Sequence, residues 1–191
     1  MFVFVAEDQN FDLLIPIRGK DRNSVKEIVL TEIGQFGIMR KARPNVPAHF
    51  HTGIDIKRPV ENYENEPVFP ITKGMVISIR NDGPYAQIII VHKKDNNYFW
   101  TVYEHIAGII VSLGENVYPE KPIARFMNKT ELNKYGWKFN HIHFETLKIA
   151  PKKLKQDDKH PQRKFVPYTL VCYTQEDLEK YYYNPLEFLD R

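Results

Sequence analysis

Cysteine is almost missing from this 191-residue chain, with Cys172 standing alone. A single thiol permits no intramolecular disulfide and no cysteine-based zinc site, and it argues neither for nor against an extracytoplasmic home. Net charge is small as well, 27 basic against 24 acidic residues or +3. That is too little, by itself, to point to nucleic acid. No apolar run approaches the length of a membrane span. The start, Met1-Phe-Val-Phe-Val-Ala-Glu-Asp8, lacks basic residues, and its apolar run is too short for a secretory signal. An exported protein would therefore have lost a leader ahead of Met1. Internal repeats and low-complexity segments are absent. Histidine is scarce, seven in all, yet His49, His51, His105, His141 and His143, five of the seven, fall in three short stretches.

What is present is a chain with 42% apolar residues, enough for one domain with a real core. Residues 1–45 alternate short apolar runs (Phe2–Ala6, Leu13–Ile17, Ile28–Ile33) with charged breaks and read as short strands and turns. The basic cluster Arg40-Lys41-Ala42-Arg43 reads first as a solvated loop, with a substrate-facing role as the weaker alternative because it leads directly into His51. From Pro47 to Leu147 the pattern is β. Ile71–Ile79, Gln87–His92, Tyr98–Ile106 and Gly108–Leu113 are rich in Ile, Val, Tyr and Phe, with turn chemistry between them. Helix periods are nearly absent there, so an antiparallel core is expected. Lys152–Lys164 carries six Lys or Arg against two Asp, 6 − 2 = +4, and reads as an exposed, mobile loop, with contact to an acidic polymer as the weaker alternative. Thr174 followed by Gln175, Glu176 and Asp177 predicts a capped helix over about 175–183. The expected division is an N-terminal extension (1–45) packed on a core (46–150), then a C-terminal insertion, short helix and closing segment (151–191).

Three stretches carry chemistry: His51-Thr-Gly-Ile-Asp55, Tyr103-Glu-His105 and His141-Ile-His143. Side chains alternate faces along a strand. His141 and His143 then share one face, with Ile142 and Phe144 on the other. By the same rule His51 and Asp55 converge, with Gly53 between them leaving room for an ion. His51, Asp55 and one of the His141/His143 pair supply two nitrogens and an oxygen, the donor set of a catalytic zinc that keeps a place for water. A metal acidifies such a water, and the two spare imidazoles, His105 and the other of the pair, can move a proton or steady an oxyanion. His49 flanks the site; His92 reads as structural and His160 as solvated. Each piece is weak alone. The strength lies in order and combination.

Taken together, His-x3-Asp, Tyr-x-His and His-x-His stand in the order that resembles the lysostaphin-type zinc endopeptidases, which include LytM-like and murein DD-endopeptidase proteins of bacterial cell-wall metabolism. Gly114-Glu-Asn-Val117 and Asn184-Pro-Leu-Glu-Phe-Leu189 look like closing segments of that family. The resemblance covers about residues 46–147 plus 184–189. It implies a mainly β fold, an antiparallel sheet core with a groove of the duplicated hybrid motif kind. It implies Zn2+ on His51, Asp55 and His143, with His105 and His141 as the catalytic pair. The implied substrates are peptide stems or crosslinks of peptidoglycan, and the implied location is the cell envelope, periplasmic or secreted. Glu104 departs from the small residue usual between Tyr and His and places a charge near the groove. Residues 151–183 are inserted before the closing segment.

Three rival readings exist. A non-catalytic relative would use the same fold to bind cell wall or regulate another hydrolase, but such relatives usually lack ligands and all five positions are filled here. A cupin-like oxygenase, suggested by His49-Phe-His51, wants a glutamate that residues 52–57 do not offer. A carbohydrate- or peptide-binding β module would leave the motif order to chance.

Overall fold

A computed structural model describes residues 13–156 and 158–191; the strand expected at Phe2–Ala6 lies outside them. The strands, in chain order, are β1 (Met39–Arg40), β2 (His49–Phe50), β3 (Ile54–Lys57), β4 (Pro67–Val68), β5 (Gly74–Arg80), β6 (Gln87–Lys94) and β7 (Asn97–Glu104). They continue as β8 (Ile106–Ala107), β9 (Asn116–Val117), β10 (Ala124–Phe126), β11 (His141–Leu147), β12 (Lys152–Lys153), β13 (Phe165–Val166) and β14 (Tyr182–Tyr183). The helices are α1 (Lys129–Tyr135), α2 (Gln175–Tyr181) and α3 (Pro185–Leu189). The main sheet runs β14-β11-β7-β6-β5-β9, with β3 pairing along β11 beside β14. Its pairings are antiparallel throughout. A smaller antiparallel sheet, β4-β10-β8, packs nearby.

Both faces of the main sheet are buried over its centre. One face carries Ile54, Ile56, Ile88, Ile90, Tyr103, Ile142 and Phe144, which pack with Ile15, Ile17, Val68, Ile71 and Phe126. The other carries Ile77, Ile89, Val91, Val102 and Leu147, covered by Cys172, Leu178 and Tyr182 from the C-terminal segment. Double coverage explains the unbroken run Ile88-Ile89-Ile90-Val91 in β6, since a strand buried on both faces needs no polar alternation. The cover stops before the last residues of β7 and the first of β11. There the second face turns polar: Glu104, His141, His143 and Asp55 stand where apolar side chains stood further along. The site lies at this uncovered end.

Three expectations are corrected. The stretch Pro47–Leu147 is not purely β, because α1 interrupts it. Asn128 caps α1, accepting from the Glu131 amide, while the Glu131 carboxylate accepts from the Asn128 amide. Leu132 is the only buried residue of the helix, so no apolar stripe existed to reveal it. Gly108–Leu113 forms no strand; Ile109 and Val111 pack on the core while Ile110 is exposed, which imitates a strand's alternation without a ladder. The basic stretch after Lys152 is not simply a solvated loop. Lys152 and Lys153 in β12 pair with β13, and Ser78 Oγ accepts from the amides of Lys164 and Phe165. Helix α2 starts at the expected cap, Thr174, and stops at Tyr181.

Candidate metal centre and its histidines

β11 lies between β3 and β7, so its polar face receives side chains from both sides. His143 stands directly opposite Asp55 on β3 and Glu104 on β7. His141 stands opposite Lys57. Directly opposed residues of an antiparallel pair point to the same face with Cβ atoms about 4.5–5.5 Å apart. His51 reaches the same point from outside β3, since residues 51–53 are not in a strand. Its arrival depends on Gly53, where any Cβ would overlap the carbonyl oxygen of Phe144. Gly53 therefore lets the chain pass close to β11. It does not clear space for an ion, which corrects the sequence-based reason for it.

His51, Asp55 and His143 form one tight donor group. His51 Nε2 lies 3.1 Å from Asp55 Oδ1 and 3.0 Å from His143 Nδ1; His143 Nδ1 lies 2.9 Å from Asp55 Oδ1. Four-coordinate zinc at about 2.0–2.1 Å from each donor would set them about 3.3 Å apart, a few tenths more than these separations. The outer nitrogens fix which lone pairs point inward. His51 Nδ1–H donates to the Gln35 carbonyl at 2.8 Å, because a carbonyl can only accept. His143 Nε2–H donates to Glu145 Oε1 at 3.0 Å. With both rings neutral, these tautomers turn two imidazole lone pairs and a carboxylate oxygen toward one another. That arrangement repels itself unless a cation sits among the three, so the donor set is compatible with a metal ion.

Electrostatics repeat the point. Burial alone would depress His143, yet hydrogen bonds to the Asp55 and Glu145 carboxylates outweigh it and push its pKa up to about 10. Asp55 is buried too, which favours its neutral form, but His143 and His51 hold it far below the usual carboxylate range. His51 is lowered by burial. A proton and a metal ion thus compete for the same place, and metal uptake releases the proton.

Beside this group stand the two remaining candidates. His105 follows β7 in a left-handed conformation, φ 63°, one that histidine tolerates better than most residues. Its Nδ1–H donates to the Pro84 carbonyl at 2.6 Å, and its ring rests against Phe139 and Tyr85. Nε2 therefore carries the lone pair. Burial and the neighbouring His141 hold its pKa down to about 3. The His141 ring meets His105 edge to face at 5.1 Å, and its Nε2 lies 3.7 Å from Asp55 Oδ1. Burial lowers His141 as well. Both rings are neutral at neutral pH and face the inner group. Tyr103 is turned away into the core, where its hydroxyl accepts from the Ile71 amide.

Several contacts were not read from the sequence. Arg40 belongs to the site, not to a solvated loop: its Nη2–H donates to Asp55 Oδ2 at 2.6 Å, so only Oδ1 faces the two imidazoles. Glu145 Oε1 accepts from Thr52 at 2.5 Å, from Thr169 at 2.7 Å and from His143. Thr169 comes from the chain after β13 and Arg40 and Gln35 from the chain before β2, so segments on either side of the motif-bearing strands reach the residues that hold the donors. Alternation could have found Glu145, two residues beyond His143; nothing local could have found Gln35 or Thr169. Glu104 also faces this side, hydrogen-bonded by Gln87 and held above the usual carboxylate range by burial. His49 stays outside the donor group, its Nδ1–H on the Pro47 carbonyl. His92 is fully buried, bonded to the Lys73 carbonyl and Thr101, and is structural as expected.

Fold and donor set define a mainly antiparallel β protein whose open sheet end is compatible with a metal ion. The profile of peptidase family M23 matches residues 49–158, more than half of the chain and a span that includes His51, Asp55, His105, His141 and His143. The chain belongs to peptidase family M23. Among solved structures, the catalytic domain of the antimicrobial peptidase lysostaphin from Staphylococcus simulans is similar over 87% of this chain and 95% of that one, with TM-score 0.50 and 16% identity. LytU is 25% identical over 64% of this chain and 75% of its own, TM-score 0.45. A zinc containing peptidase from Vibrio cholerae is 23% identical over 71% of this chain, TM-score 0.46, and the chain spans 37% of that protein's length. No curated protein matches the chain at a significant level. No helix among the described residues is long and apolar enough to cross a membrane.

Proposed function

We propose that this chain is a zinc-dependent endopeptidase that hydrolyses peptide stems or crosslinks of bacterial peptidoglycan, acting in the cell envelope. The observation that carries the reading is the inner triangle of His51 Nε2, Asp55 Oδ1 and His143 Nδ1, with its outer nitrogens tied to Gln35 and Glu145. These three residues would hold the ion. When bound, zinc supplies an acidified water and polarises a carbonyl.

The chain's own residues do the rest. His105 turns a bare Nε2 toward the inner group, its Nδ1–H being tied to the Pro84 carbonyl, so it is placed to take a proton as the attack proceeds. His141, next to it, stands where a ring N–H would steady charge building on the carbonyl oxygen. Arg40 fixes Asp55 through its second oxygen. Glu145, held by Thr52 and Thr169, fixes His143. Residues 46–150 form the peptidase core in this reading, with Gln35 and Arg40 before it and Thr169 after it supplying outer supports.

Incubation of the zinc-loaded chain with peptidoglycans of differing crosslinks, followed by mass spectrometry, tests the proposal. New amino and carboxyl termini within the peptides are expected. A chain that carries zinc yet releases no fragment from any of them would instead support a non-catalytic cell-wall binder.

A further inference from the structure

A cavity of about 410 Å³ opens beside His141, between the loop after β3 and the turn after α1. Its lining includes Lys57, Arg58, Tyr63, Trp137, Lys138 and His141, with Glu61 its one carboxylate. Three cations against one anion leave 3 − 1 = +2. We propose that this cavity is a subsite for a carboxylate-bearing residue of the peptide substrate, with Lys57 as the cation nearest the cleaved bond. The proposal rests on the peptidase reading above.

Register supplies the placement. Lys57 opposes His141 as Asp55 opposes His143, so its side chain leaves the same face of the sheet as the donor group. It does so two residues further along, roughly 7 Å. An extended peptide advances about 3.3–3.6 Å per residue. A carboxylate meeting Lys57 thus belongs to a residue one or two positions from the cleaved bond.

The walls are built in advance. Arg58 donates to Asn140 Oδ1 at 2.9 Å and to the carbonyls of Asn62 at 2.7 Å and Met127 at 2.5 Å, and it stacks on Tyr63 and Phe126. All three acceptors are neutral; the one carboxylate that acts on Arg58 is the buried Glu66, which Arg18 also meets at 3.8 Å. Trp137 is half exposed, yet it is held: its indole N–H donates to Asn133 at 2.9 Å and Tyr63 meets it edge-on at 5.7 Å. An immobilised aromatic surface left in water is suited to covering an aliphatic stem. A side chain with a short apolar stem and a terminal carboxylate would lay the stem on Trp137 and its charge between Lys57 and Lys138.

The test uses pairs of peptides, each pair identical except that one residue flanking the cleaved bond carries a free carboxylate or its amide. Hydrolysis by the zinc-loaded chain and binding by tryptophan fluorescence are both measured. The carboxylate form is expected to be favoured about fivefold, the size of a solvent-screened charge pair, and less at high salt. Lys57→Gln should bring the ratio close to one, whereas Lys121→Gln, outside the cavity, should keep it. If neither form is cleaved but the carboxylate still binds better through Lys57, the peptidase reading fails and the subsite stands. Equal turnover and equal or absent binding of the two forms overturns the subsite while leaving the peptidase reading intact.

Discussion

The inner and outer histidines of this site sit within a few ångströms of each other, on or beside the same strands, yet their surroundings set them far apart chemically. His143 has a carboxylate at each ring nitrogen, Asp55 at 2.9 Å and Glu145 at 3.0 Å, and its pKa is pushed up to about 10 despite burial. His105 is bonded only to a backbone carbonyl and faces another imidazole, and burial holds its pKa down to about 3. The same side chain thus holds a proton tightly in one place and stays neutral in the other. Carboxylate placement makes the difference, and that placement follows from pairing: β3 sets Asp55 against His143, while β11 itself sets Glu145 two residues on.

The comparison breaks most completely if an inner residue is lost. His143→Ala or His51→Ala is expected to reduce peptidoglycan hydrolysis to background, measured by release of soluble fragments. An outer substitution should do less. His105→Ala is expected to lower turnover by about 10²–10⁴-fold, the usual cost of a lost general acid–base, with KM changed far less. Next in size is the second layer. Glu145→Gln should weaken metal affinity about 10–100-fold, read by competition with a chelator, because it releases the His143 ring from its charged acceptor.

A separate effect is one of pH on the metal-free chain. His143 is raised when folded, so the stability it contributes is complete below its unfolded value of about 6.5 and is lost as pH rises toward about 10. Asp55 is depressed when folded, so its contribution is present above about 3.9 and is lost only in acid. Thermal melts of the metal-free chain should therefore show Tm falling between about pH 6.5 and 10. Metal-loaded chain should hold its Tm over that window, since the ion takes the proton's place.

Much of this site was legible because strands have a period of two. His141 and His143 on one face, with Ile142 and Phe144 in the core, is what β11 shows. His51 and Asp55 do converge, but along a path that alternation does not describe: β3 begins at Ile54, and the approach depends on Gly53 passing the Phe144 carbonyl. Partners from distant segments were illegible for a simple reason. Gln35, Arg40 and Thr169 meet the site through tertiary packing, and a basic residue in a polar stretch looks solvated until its carboxylate is known. Helix α1 was missed because one buried leucine makes no stripe, although Asn128 three residues before Glu131 was a capping signal in plain view.

The central claim is that His51 and His143, not His105 and His141, hold the metal with Asp55. Zinc content per chain, measured on His141→Ala and His143→Ala after saturation and dialysis, tests it most directly. The account predicts about one zinc in His141→Ala, whose three donors are intact, and almost none in His143→Ala. Zinc retained by His143→Ala and lost from His141→Ala would contradict it.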